Sequence, residues 1–127
     1  MTLRACRDRI QAVLTPALGT MTLPNSATTP AMWVGNWDGP FPGTVVTGIL
    51  AVLDIGSMDV IREYQQEKTD DRLRLDLIAW GAHDPETAVS LLIAAFEGSD
   101  VDRARLPEGW GPTGWVTVYL SLREVLG

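Results

Sequence analysis

The sequence predicts an α+β domain, a mainly antiparallel sheet with two helices packed on one face, plus a small β-hairpin. Two of the observations behind this prediction are local: an alternating strand pattern that begins at Arg72, and a helix with clear start and stop residues over 84–98. The third is the order of the elements, which runs helix, hairpin, strand, strand, helix, strand. At 127 residues, we expect residues 1–127 to form a single domain.

The strand prediction rests on alternation between apolar and charged residues. One face is expected to be buried and the other to be wet or to face a partner, which favours antiparallel pairing. The alternation stops at 78–80, so the strand end is predicted to be covered on both faces. The two sets are Leu73, Leu75 and Leu77 on one face, and Arg72, Arg74 and Asp76 on the other.

The second helix is marked at both ends. Asp84 is a good N-cap, Pro85 suits the first helical position, Glu86 favours the positive end of the helix dipole, and Gly98 suits the stop. Between these residues the helix is apolar nearly all round. Such a helix needs cover on more than one side, from the N-terminal helix or from a neighbouring subunit.

The N-terminal part of the chain predicts a helix followed by a hairpin. Apolar residues recur at helical spacing over 3–18, and Gly19 is a plausible stop. Short strands are expected at 20–23 and 31–34, around the polar turn 24–29. We therefore expect the two strands to pair with each other.

The rest of the chain predicts two more strands and three loops. Residues 45–55 favour a central strand, and 115–122 alternate as a last strand. The polar stretch 56–71 predicts a turn and the start of the long strand, with a short helix at 57–64 as the competing interpretation. Residues 36–44 and 99–114 are expected to be loops.

Composition excludes several classes of protein. The formal net charge of −6 argues against a protein that grips nucleic acid by neutralising phosphates. The apolar runs are too short to span a bilayer, so no membrane association is expected. The N-terminus lacks the pattern of a signal peptide, which predicts synthesis in the cytoplasm. Arg4, Arg7 and Arg9 are expected to form a solvated helix face.

The chain holds few reactive groups, so we expect no enzyme, no cofactor and no metal. The single histidine, His83, is expected in an exposed turn, and the single cysteine, Cys6, in the helix core. These two residues do not assemble a nucleophile with its base, and zinc ligands are lacking. Five carboxylates are expected to be solvated, because their spacing does not fit a calcium loop. They are Asp59, Glu63, Glu67, Asp70 and Asp71.

Aromatic and basic residues supply the candidate interface. Trp80 and Trp115 lie on predicted strands and are expected in the core. Loop aromatics are better candidates for contacts, because tryptophan is enriched at hot spots of protein interfaces. The region 62–74 is expected to contribute to subunit contacts or to a lumen. The candidates are Trp37, Phe41, Trp110, Arg62, Tyr64, Arg72 and Arg74.

Five segments in succession carry a resemblance to a known family. Together with the N-terminal helix that precedes them, they extend to the end of the second helix, so the likeness spans most of the chain. The chain resembles the tail-terminator and neck (head-tail joining) proteins of long-tailed bacteriophages. The segments are LGTMTLPN at 18–25, PAMWVGN at 30–36, PGTVVTG at 42–48, LIAW at 77–80 and AVSLLIAAF at 88–96.

The resemblance implies a structural protein of the virion. In that family a small α+β domain forms a ring of six copies at the top of the tail tube, stops its growth and joins it to the head. The implied partners are the chain itself as a homohexamer, the tail tube protein and a neck or stopper protein. DNA would pass through the ring without specific binding, and no catalytic residues are implied.

Two alternatives stay open. The loop 36–44 is longer than in the family and carries Trp37, so the ring could be a terminator or another connector layer of the neck. The second alternative is an adaptor module outside phages that holds a protein partner with Trp37 and Trp110. A ring requires heterologous surfaces on each subunit, and loops with aromatic residues suit either case.

Overall fold

The computed structural model describes residues 3–35, 45–54, 72–80, 83–103 and 112–126. Within these residues the chain forms three helices and eight strands, and the predicted α+β class is confirmed. The elements are α1 (Leu3–Leu14), β1 (Thr20–Thr22), β2 (Thr28–Pro30), β3 (Met32–Gly35), β4 (Val45–Thr47), β5 (Ile49–Asp54), β6 (Arg72–Ala79), α2 (Glu86–Ala95), β7 (Asp100–Asp102), β8 (Gly114–Ser121) and α3 (Leu122–Leu126).

The strands form two sheets. The main sheet has the order β3-β5-β6-β8-β7, and its pairs are antiparallel except for β3 and β5, which run parallel. A smaller antiparallel sheet has the order β2-β1-β4. The longest pairing joins β6 to β8, from Arg72 opposite Ser121 to Ala79 opposite Gly114.

The main core lies between the helices and one face of the main sheet. The three leucines of β6 that were predicted to be buried are fully buried there, so this part of the prediction is confirmed. Both longer helices contribute to the same cluster, which places them on one sheet face. Its members include Cys6, Ile10, Leu14, Leu73, Leu75, Leu77, Ala88, Val89, Leu92, Val116, Val118 and Leu120.

The two longer helices pack against each other on this sheet face. Strands β6 and β7 are both antiparallel to β8, so α2 crosses over β8 to connect them. Arg103, just after β7, pairs with Glu86 of α2 at 2.6 Å. The chain after α1 reaches the first residue of β5, where the Gly19 N–H donates to the Ile49 carbonyl at 2.9 Å. One side of α2 therefore faces the β7 edge, and α1 ends beside β3 and β5.

The other face of the main sheet is partly covered by the small sheet. Met21 of β1 packs there with apolar residues of β5 and β6. Ile78 and Ala79 are both fully buried, on opposite faces, which confirms that the end of β6 is covered on both sides. This second cluster consists of Met21, Ala31, Leu50, Val52 and Ile78, with Trp33, Trp80 and Trp115 packed against it.

The predicted hairpin has a different second strand. Strand β1 pairs with β2 (Thr28–Pro30), not with 31–34, and β3 joins the main sheet instead. Ala31 makes the transition: its N–H bonds to the Gly19 carbonyl and its carbonyl accepts the Ala51 N–H, both at 2.9 Å. The chain thus passes from the small sheet to the main one within a single residue.

The predicted strand 45–55 is two strands, divided at Gly48. This glycine has φ +90°, a conformation that side chains other than glycine rarely adopt. The part before it, β4, belongs to the small sheet, and the part after it, β5, belongs to the main sheet. The bend lets one apolar run serve both sheets.

Both ends of the chain also differ from the prediction. Helix α1 ends at Leu14 and not at 18; Pro16 lacks an N–H, and the N–H groups of Ala17 and Leu18 both bond to the Leu14 carbonyl. The predicted loop 99–114 contains β7, and α3 follows the last strand. The alternatives for 56–71 and the five carboxylates of that stretch lie outside the described residues.

Candidate functional site

The structure describes two of the seven predicted interface residues. Arg72 and Arg74 lie on β6 and share the sheet face opposite the helices. Trp37, Phe41, Arg62, Tyr64 and Trp110 lie outside the described residues. The candidate surfaces within the described residues are the second sheet face and the outer surfaces of the helices.

A fully buried aspartate lies at the centre of the second sheet face. Asp76 has no exposed surface. It accepts hydrogen bonds from the Trp115 indole N–H at 2.9 Å and from the Thr117 hydroxyl at 2.6 Å. Arg74 donates two more, from Nε at 3.1 Å and from Nη2 at 3.3 Å. We call these four residues the Asp76 network.

The register of β6 with β8 builds this network. Asp76 lies opposite Thr117, and Trp115 is two residues away on the same strand face. Arg74 lies two residues before Asp76 on β6, and therefore on the same face. The prediction was that this face of β6 is wet or faces a partner; at Asp76 it is wrong, because Trp115 and Thr117 of β8 in the same chain cover the carboxylate.

The network fixes the guanidinium of Arg74 in place. The Arg74 side chain is 34% exposed and forms an ion pair with Asp76 at 3.1 Å. Desolvation by burial opposes the charged form, but the hydrogen bonds and charge of Asp76, with smaller contributions from Tyr119 and Asp54, raise the pKa of Arg74 above its usual value. Arg74 is thus a permanent, pre-oriented cation. Its main role in the folded chain is to satisfy the buried carboxylate.

Arg72 is also held by a partner within the chain. Its guanidinium pairs with Asp100 of β7, on the other side of β8. Both side chains of this pair are largely exposed, so the pair is expected to add little to stability. The two candidate arginines therefore share a face, and each binds a carboxylate of its own sheet.

Three tryptophans pack against the apolar cluster on this sheet face. Trp80 and Trp115, predicted to lie in the core, pack against the second cluster and remain half-buried. Trp33 of β3 was not among the predicted site residues, yet it packs against the same cluster. Its ring lies over Gly35, where an added Cβ would come within 2.5 Å of the Trp33 Nε1. The sequence signal for this contact was the glycine two positions after the tryptophan, which puts both residues on the same face of the strand.

Reactive groups in the described part of the chain are few. His83 is exposed, as predicted. Cys6 is buried in the main core, as predicted, and burial raises the pKa of its thiol. No three His, Cys, Asp or Glu residues among those described could together hold a metal ion. A hollow of about 210 Å³ lies between the end of α1 and the small sheet; its lining is Thr15, Leu18, Gly19, Thr20 and Pro30.

Helix α2 begins one residue later than predicted, at Glu86 with Pro85 as its N-cap, and ends at Ala95 with Phe96 as its C-cap, before the predicted stop at Gly98. The carboxylate of Asp84 accepts the Glu86 N–H at 2.6 Å, and Pro85 has helical backbone angles. This arrangement satisfies one of the free N–H groups at the start of the helix.

One side of α2 carries apolar residues without cover. Ala88, Val89 and Leu92 are buried, whereas Ile93 is 50% exposed. Among the described residues no other large apolar side chain is as exposed. The expected second cover of this helix comes in part from the N-terminal helix, because α1 packs against α2. Ile93 remains exposed on another side of the helix.

The described helices include none long and apolar enough to cross a membrane. No family model, curated protein or solved structure matches the sequence.

Proposed function

We propose that the chain is a ring-forming structural protein of a tailed phage, and that it acts as the tail terminator between the neck and the tail tube. The observation that carries the proposal is the fold itself. The resemblance implies a small α+β domain with a mainly antiparallel sheet and two helices, and the described elements have this arrangement.

The segments that carry the resemblance supply successive elements of this fold. Strand β1 comes from LGTMTLPN, β3 from PAMWVGN and β4 from PGTVVTG. Strand β6 ends within LIAW, and AVSLLIAAF supplies most of α2. The likeness thus involves the framework of both sheets and not one isolated motif.

The shape and charge of the subunit suit a ring. The main sheet has β3 at one edge and β7 at the other. A contact between the β3 side of one copy and the β7 side of the next would therefore be heterologous. A heterologous contact repeated around an axis closes a ring. The net charge of −6 suits a ring through which DNA passes without being bound, because carboxylates repel phosphates.

The test is a capping experiment with purified tail tubes. We expect the protein to bind one end of each tube as a ring seen by negative-stain microscopy, and to stop further addition of tube protein. An unrelated acidic protein of similar size is the control and should leave tube growth unchanged. Tubes that keep growing with no protein at their ends would refute the terminator function. A ring that binds the neck and leaves tube growth unchanged would favour the alternative of another connector layer.

A further inference from the structure

We propose that copies of this chain join edge to edge, with β7 of one copy paired antiparallel with β3 of the next, so that the main sheet continues from subunit to subunit. The inference rests on the proposed function, because it names the subunit contact of the ring. It is carried by the backbone groups at the two sheet edges, by the directions of the two strands and by the side chains beside them.

The β3 edge offers backbone groups for pairing. The Ala31 carbonyl points towards β5, where it accepts the Ala51 N–H. Because the N–H and C=O groups of successive strand residues point to alternate sides, those of Met32 and Val34 point away from β5. No hydrogen bond to these outward groups occurs within the described part of the chain. The stretch 27–35 also has no charged residue, and charges are what commonly protect an edge strand from pairing.

The β7 edge matches the β3 edge in direction. Strand β7 runs opposite to β3, because β3 and β5 are parallel and the next three pairs across the sheet are antiparallel. Turning a strand by 180° in the plane of a sheet keeps its side-chain faces and exchanges its edges. Val101 shares the helix-facing side of the sheet with Val34, so its N–H and C=O also point outward. An edge contact between the two strands is therefore antiparallel, with the outward groups facing each other.

One register joins the apolar side of the sheet as well as its backbone. With Val101 opposite Val34, Arg103 lies opposite Met32, and each of these pairs can exchange two N–H···O=C bonds. Val34 and Val101 both pack against the main core of their own subunit. The apolar layer beneath the helices would therefore continue across the contact.

The other two edge pairings do not build a ring. Pairing β3 with β3, or β7 with β7, is isologous and stops at a dimer. The β7 pair would also set Asp100 of one copy opposite Asp102 of the other, which is destabilising. In the contact between β7 and β3, Asp102 lies opposite the uncharged Trp33 instead. Each copy then uses a different edge on either side, which is the requirement for a ring of identical subunits.

Proline substitution tests the backbone pairing, because proline lacks the N–H and places its ring at the edge. Val34→Pro and Val101→Pro should each weaken self-association by about tenfold or more, measured by sedimentation equilibrium and by crosslinking on tail tubes. Val34→Ala and Val101→Ala are the matched controls. They shorten the same side chains but keep the N–H, so they should weaken association by less than about fivefold. Thermal melts verify that all four variants are folded.

Disulfide formation tests the register. In the proposed pairing, Val34→Cys and Val101→Cys place their Cα atoms about 5.5 Å apart, within the range of a disulfide. A mixture of the two single variants should therefore crosslink on oxidation. Neither variant alone should do so, since the native Cys6 is buried. Crosslinking of Val34→Cys alone would indicate pairing of two β3 edges and would overturn the inference.

The remaining outcomes separate this inference from the proposed function. A wild type that caps tubes, but whose proline variants associate as the alanine variants do, would overturn the edge contact alone. The absence of crosslinks in the mixture of cysteine variants would do the same. Wild-type protein that neither self-associates nor binds tubes would overturn the proposed function as well.

Discussion

Asp76 accepts hydrogen bonds from three side chains although it lies on the sheet face away from the helices. Trp115 and Thr117 come from β8 and Arg74 from β6, so the carboxylate ties two strands together. A buried charge with several donors is sensitive to the removal of one partner, because the remaining groups stay buried without a bond. The network therefore makes the register of β6 with β8 specific.

We predict that Asp76→Ala lowers the free energy of unfolding by about 3–5 kcal/mol, because it leaves Arg74, the half-buried Trp115 N–H and the buried Thr117 hydroxyl without their shared acceptor. The measurement is urea denaturation followed by tryptophan fluorescence. Asp102→Ala, an exposed aspartate on β7, is the matched control and should change stability by less than about 0.5 kcal/mol. Equal losses in the two variants would contradict the role given to the network.

Single residues also show which parts of the site the sequence could predict. The burial of Leu73, Leu75 and Leu77 followed from alternation alone. The burial of Asp76 did not, because its donors on β8 lie about forty positions further along the chain and meet it only through strand pairing. The same limit applies to Trp33, whose contacts come from strands that are distant in sequence.

Two glycines join the small sheet to the main sheet at one crossing. The Gly19 N–H bonds to the Ile49 carbonyl, and a Cβ at Gly19 would lie 2.0 Å from the Thr47 carbonyl oxygen. Gly48 turns the chain with φ +90°, and its own Cβ would meet the Gly19 Cα at 3.0 Å. The backbones approach so closely here that no side chain fits between them.

For this crossing we predict that Gly19→Ala destabilises the fold more than Gly98→Ala does. Alanine at Gly19 clashes with backbone atoms that belong to both sheets, so the crossing must open. Gly98 has φ +79° with nothing within 4 Å of an added Cβ, so alanine there costs only the left-handed conformation, about 1–2 kcal/mol. Melting temperatures by circular dichroism compare the two. A larger drop for Gly98→Ala would mean that the crossing is not as close as described.

The elements with strong local signals were predicted, and those defined by pairing were not. Asp84, Pro85 and Gly98 marked α2 because caps act within a few residues. The three residues of β7 carry no pattern of their own and become a strand only by pairing with β8. For the same reason the hairpin was assigned the wrong partner: β2 and β3 are separated by one residue, and only the sheets distinguish them.

For the whole molecule, the net charge governs how copies approach one another. A formal net charge of −6 makes two copies repel each other at a distance. A ring of identical copies therefore requires contacts whose free energy exceeds this repulsion. Salt screens the repulsion, so the dependence of association on ionic strength measures it.

We predict that association between copies strengthens as ionic strength rises, because salt screens the repulsion between chains of net charge −6. Raising salt from about 0.05 M to about 0.5 M shortens the screening length to less than about 8 Å, while contacts between apolar surfaces are not weakened by this screening. Sedimentation equilibrium over the salt series measures the sign. Ile93→Ser removes the exposed apolar side chain of α2 and leaves the net charge unchanged, so its association should show the same salt dependence as that of the wild type. Weaker association of the wild type at high salt would contradict this prediction and would indicate a contact between opposite charges.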